Sequence, residues 1–150
     1  MNKSGGVIRF FSHITHDNNA LKKHSQSLIQ SMHDYLSLHD EVKHCVESNL
    51  DKSAASFYIK PFDLTIFYRG SYKLYELDLD ITTYCYEMSF FHKKNDDEVM
   101  DFTAYITADE CLVLDPHKAD TICQVYNENR GSRVFARILN KLYESKVIAI

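Results

Sequence analysis

The sequence predicts an α+β fold: an antiparallel meander sheet of about five to seven strands, with N-terminal helices and one broken or two C-terminal helices packed on it. Three observations carry this. Apolar residues recur at helical spacing near both ends of the chain. Between about residues 56 and 114 the pattern changes to an alternation of period two. The connections between the alternating runs are short, which suits antiparallel neighbours rather than crossover units.

The elements follow in order. Residues 7–14 suggest a short first strand. Asp17 or Asn18 then caps a helix to about Leu38, with Leu21, Leu28, Met32 and Tyr35 on its apolar face and Ile29 and Leu36 beside them. A second helix from Asp40 to about Asn49 would bury Val42, Cys45 and Val46. Phe57 and Ile59 alternate with polar neighbours up to Pro61-Phe62-Asp63, a turn. Leu64, Ile66 and Tyr68 form a run that Arg69-Gly70-Ser71 is expected to end. Tyr75, Leu77, Leu79 and Ile81 alternate with Glu76, Asp78 and Asp80, and after Thr82-Thr83 the parity passes to Tyr84, Tyr86, Met88 and Phe90. Lys93 to Asp97 is a polar hairpin loop, followed by Met100, Phe102, Ala104 and Ile106, and then by Cys111 to Leu114. Asp115-Pro116 opens a helix in which Ala119, Ile122, Cys123 and Tyr126 are buried and which Gly131 ends. Ser132 caps a last helix with Val134, Phe135, Ile138, Leu139 and Leu142 on its apolar face. This order would also serve a helix-grip architecture, in which a curved sheet wraps a C-terminal helix around a cavity.

Composition narrows the class. The 150 residues are 45% hydrophobic and 25% charged, ordinary globular values that fit one domain over residues 1–150. No apolar run approaches the roughly 20 residues that span a bilayer, and Val7 to Phe11 is too short for a signal-peptide core. Cys45, Cys85, Cys111 and Cys123 stand without CxxC pairing and read as reduced thiols of a soluble, cytoplasmic protein.

Chemistry-bearing motifs are sparse. His13-x-x-His16 has a ligand spacing, but zinc needs three or four convergent donors, and His24 and His33 lie about 180° apart around a helix. No metal or other cofactor is therefore expected. The four glycines form no phosphate loop, there is no G-x-S-x-G elbow, and the E-x-K at Glu41-Val42-Lys43 lacks an upstream strand acid. The absence of catalytic motifs leans against an enzyme. Seven of the ten tyrosines fall between Tyr58 and Tyr105, where β propensity explains them and a binding surface would also use them.

Charge supplies the candidate site. The net charge of −4 disfavours nucleic acid, whose phosphates need a basic footprint. From Arg130 onward five bases face one acid, a segment of +4, which leaves −8 on the rest. A hairpin about Thr82-Thr83 would pair Ile81 with Tyr84, Leu79 with Tyr86 and Leu77 with Met88, and would gather Glu76, Asp78, Asp80 and Glu87 into an acidic patch. Arg133, Arg137 and Lys141 recur at i, i+4 and i+8, with Arg130 just before, as a basic stripe on one helical face. The expectation is a small non-enzymatic binding protein, inhibitor- or immunity-like, that meets a protein partner or a second copy of itself through these surfaces. The alternative is a small-molecule site or modest enzyme with an apolar cavity between the sheet and the C-terminal helices.

Overall fold

The structure, a computed structural model, describes residues 8, 11, 12, 19–51, 54–76, 82–118 and 120–148. Its order is a long helix α1 (Ala20–Leu38), a single-turn helix α2 (Asp40–Lys43), seven strands and a helix α3 (Arg130–Glu144). The strands are β1 (Val46–Asp51), β2 (Ala54–Ile59), β3 (Leu64–Glu76), β4 (Thr82–Lys94), β5 (Asp97–Thr107), β6 (Cys111–Val113) and β7 (Thr121–Gln124). A 3₁₀ turn, Lys60–Phe62, joins β2 to β3. All neighbours pair antiparallel in the order β1 to β7, so the sheet is a meander throughout. Among the described residues no helix is long and apolar enough to cross a membrane.

Both long helices pack on one face of the sheet. Leu21, Leu28, Ile29, Met32 and Leu36 of α1, with Val134, Phe135, Ile138 and Leu142 of α3, meet Phe57, Ile66, Tyr84, Tyr86, Met88, Phe90 and Ile106. Burial on this scale is the main stabilising term, at roughly 1.5–3 kcal/mol for each large apolar side chain. Val134, Ile138 and Leu142 are at most 1% exposed, and Phe135 stacks edge-on against Phe57 at 6.2 Å. These are the side chains between α3 and the sheet, where the alternative reading would place an apolar cavity.

Several elements differ from the sequence expectation. Ile8, Phe11 and Ser12 are helical, not a strand. The second helix stops at Lys43, and Val46–Asp51 forms an edge strand on β2, because Val46 gains burial opposite Ile59. The helix expected from Asp115 does not propagate. Asp115 does accept the His117 N–H at 2.9 Å, but Thr121–Gln124 pairs with β6 instead, and Tyr126 is 64% exposed. One unbroken C-terminal helix remains. Gly131 does not end a helix but sits buried in the first turn of α3, where a Cβ would lie 2.7 Å from Met32 N and from the Ser31 carbonyl atoms. It is the point at which α3 crosses the backbone of α1.

The hairpin register differs too. β3 continues through Arg69-Gly70-Ser71, so Gly70 faces Met88, Tyr72 faces Tyr86 and Leu74 faces Tyr84. Leu77, Leu79 and Ile81, the partners expected for these residues, lie outside the described residues, as do Asp78 and Asp80. The hairpin between β4 and β5 stands where expected but is tighter than the Lys93 to Asp97 loop: Lys93, Lys94 and Asp97 join the strands, and Asn95 (φ 53°) and Asp96 (φ 68°) alone take the left-handed conformation of a two-residue turn.

Candidate functional site

Gly70 is the starting point. On it an added Cβ would lie 2.5 Å from Tyr86 Cε2 and 2.8 Å from Tyr86 Oη, and would overlap the Tyr68 hydroxyl. The missing side chain therefore lets two tyrosine rings from neighbouring strands close over the backbone of β3. Their hydroxyls converge on α1, where Ser25 Oγ is 2.9 Å from Tyr68 Oη. Ser25 is 1% exposed, a polar group that would be costly to bury without this partner. Burial pushes the Tyr68 phenol far above its ordinary range, against which the Ser25 hydrogen bond acts. Burial also raises Tyr86, while hydrogen bonds from Ser25 and Tyr68 favour its ionised form. Tyr72 packs edge-on to Tyr86 at 5.0 Å, and its hydroxyl accepts the Lys22 N–H at 3.4 Å.

Beside this cluster runs a groove of about 810 Å³. One wall is the N-terminal half of α1, with Lys22, Gln26 and Ile29; the end of the β1–β2 hairpin, with Leu50 and Ala54, closes it at one side. The third side is β3 itself. Only Leu64 to Tyr68 pair with β2, whereas β4 pairs with β3 from Phe67 to Glu76. Beyond Tyr68, then, no strand among the described residues pairs with β3 on its β2 side. The groove follows that edge and touches both faces of the sheet: Tyr68, Tyr72 and Tyr86 on the inner face, Phe67, Arg69 and Phe91 on the outer.

The outer face carries its own order. Phe67 and Phe91 stack at 5.7 Å, Arg69 lies 4.8 Å over Phe91, and Lys93 lies 5.0 Å over Phe67. Arg69 is bridged to Glu98 at 3.0 Å and Lys73 to Glu87 at 3.0 Å. Beneath them Cys85 is fully buried, and burial pushes its thiol up to about 12.

Of the residues expected in the acidic patch, Asp78 and Asp80 lie outside the described residues, and the pairing expected of Glu87 differs. Glu87 faces Ser71 rather than Asp78, and its charge is already matched by Lys73. Glu76 pairs with Thr82 at the end of β3. The basic stripe does lie along one exposed flank of α3: Arg133, Arg137 and Lys141 are exposed, and Lys141 approaches Glu144 at 3.9 Å. Arg130 behaves differently. It bridges the helices, donating to Asn127 O and to Ser27 Oγ, each at 3.0 Å, and its Nε is buried without a partner.

Among the described residues no group of three or more His, Cys, Asp or Glu could hold a metal ion. His13 and His16 lie outside the described residues. His24 is 3.9 Å from Glu110, and the His33 ring nitrogen Nδ1 contacts Ser48 Oγ. Sequence reading missed one polar pair. His92 Nδ1 lies 2.7 Å from the Asp101 carboxylate, with side chains 9% and 2% exposed. The register shifts at Phe90/Phe91, where Asp101 is the extra residue of a β-bulge, and no local pattern announces such a shift. Burial raises the Asp101 carboxyl, and the hydrogen bond from His92 opposes that rise.

No protein-family model matches the chain, and no curated protein and no solved structure matches it either.

Proposed function

We propose that the chain is a non-enzymatic binding protein that takes up an extended segment of a protein partner along the β3 edge, by strand addition. The observation behind this reading is the groove that lines both faces of the sheet around Arg69 to Ser71. An added strand fills such a space naturally. Its backbone meets the edge, while alternate side chains go to the tyrosine side and to the Phe67–Phe91 side. The other end of the sheet offers a contrast. There β7 is four residues long and bulged, and Arg133 points a guanidinium nitrogen at Ile122 O from 3.5 Å, all of which blunt an edge.

The test is selection from a library of random peptides displayed on phage, followed by N-methylation of successive amides in the best binder. The reading expects an enriched peptide whose binding is lost on methylating every second amide. Failure to enrich any peptide, or indifference to every methyl group, would overturn it. A small polar ligand in the same groove is the second reading, favoured by the converging hydroxyls of Ser25, Tyr68 and Tyr86. Native mass spectrometry of the purified protein separates the two, since a retained small molecule favours this second reading.

A further inference from the structure

The stripe on α3 lies apart from the β3 groove and shares no lining residue with it. We propose that the Arg133–Arg137–Lys141 flank of α3 docks an acidic helix of a protein partner. Among the described residues neither Arg133 nor Arg137 has a carboxylate within ion-pair distance, and Lys141 has Glu144 only at 3.9 Å. Arg133 is tethered to the Ile122 carbonyl at 3.5 Å, so the row is held against β7 at one end.

The spacing selects the partner. At 1.5 Å per residue, successive cations stand about 6 Å apart along the axis and the row is roughly 12 Å long. A second helix carrying acids at i, i+4 and i+8 presents charges at the same interval. Three cations over that length give a small footprint beside the six to ten phosphate contacts of strong duplex binders. The net charge of −4 further repels a polyanion, while a short acidic helix feels mainly the local field. Strand addition does not suit this place, because β7 is short and bulged. Exposed ion pairs are screened over about 8 Å at physiological ionic strength, so this contact weakens steeply with salt.

Fluorescence anisotropy tests the proposal with three labelled probes: a helical peptide bearing Glu at i, i+4 and i+8, its Gln counterpart, and a random-sequence DNA duplex. At low salt the Glu peptide should bind at least about tenfold more tightly than the Gln peptide, a difference of about 1.4 kcal/mol. Arg137→Glu should remove that advantage and melt like the wild type, since Arg137 is exposed on the outer flank of α3. Equal binding of the two peptides, wild-type binding by the Arg137→Glu variant, or tighter binding of DNA would each overturn the proposal. So would sedimentation showing a dimer at low salt that Arg137→Glu abolishes, because a second copy would then occupy the stripe.

Discussion

Replacing Gly131 with alanine puts one methyl group into the tightest crossing of the molecule. The added carbon would stand 2.7 Å from Met32 N, Ser31 C and Ser31 O, about 0.8 Å inside the ordinary contact distance. All three atoms belong to the backbone of α1 and cannot rotate away. The helices must separate, which loosens the packing of Met32 and Val134, both fully buried. Overpacking of this kind costs about 1–3 kcal/mol, while alanine returns less than about 1 kcal/mol of helix propensity at the second position of α3. The expected net loss is about 1–2 kcal/mol, or roughly 2–8 °C in Tm for a chain of this size. Urea denaturation followed by circular dichroism should show a lower midpoint with an unchanged slope. A midpoint equal to or above that of the wild type would mean that the two backbones do not meet this closely at Gly131, and the crossing described above would be wrong.

Three further outcomes follow from the same structure. Gly70→Ala should cost less, about 1 kcal/mol, because the tyrosine ends it strikes can shift, and the cost should shrink in a Tyr86→Ala background; an additive double mutant would contradict the convergence of the rings. His92→Ala should destabilise by about 1–3 kcal/mol by leaving the Asp101 carboxylate buried without its partner, and an unchanged urea midpoint would count against the pair. The folded state holds the Cys85 proton up to about 12, whereas an unfolded thiol loses its own near 9. Stability is therefore lost as pH rises above 9 towards 12, by up to about 1.4 kcal/mol per unit. Cys85→Ala should flatten that decline, and native thiol labelling should reach the partly exposed Cys45 and Cys111 first; early labelling of Cys85 would refute its burial.

What the sequence made legible was local and periodic. The spacing of Leu21, Leu28, Met32 and Tyr35, with Ile29 and Leu36 beside them, marked the buried face of α1, where Tyr35 alone is only partly buried, and Tyr84, Tyr86, Met88 and Phe90 marked the inner face of β4. The polar run Lys93 to Asp97 marked a hairpin, whose turn narrows to Asn95 and Asp96 in the structure. The misreadings arose where distant contacts outweighed local chemistry. Arg69-Gly70-Ser71 has the composition of a turn, yet β3 runs straight through it, because β4 supplies a ladder and two tyrosines need the room. Asp115-Pro116 has the composition of a helix start and does form the first turn, but β6 draws Thr121–Gln124 into the sheet. The candidate groove is built from α1, the β1–β2 hairpin, β3 and β4, so no segment by itself carries its signature. The run of tyrosines between Tyr58 and Tyr105 was its only trace, and strand propensity explains most of them equally well.

The claim that β3 offers an edge to a partner is tested most directly by amide hydrogen exchange at Gly70 and Ser71. In an antiparallel strand one of two neighbouring amides points to each side, so one of this pair bonds to β4 and the other points into the groove. In the protein alone, the account predicts slow exchange at one of them, comparable to the slowest amides of Phe67 and Tyr68, which pair with both β2 and β4, and exchange at least about a hundredfold faster at the other, an opening free energy lower by about 2.7 kcal/mol. Equal, strong protection of both amides would contradict it, because the edge would then already be covered.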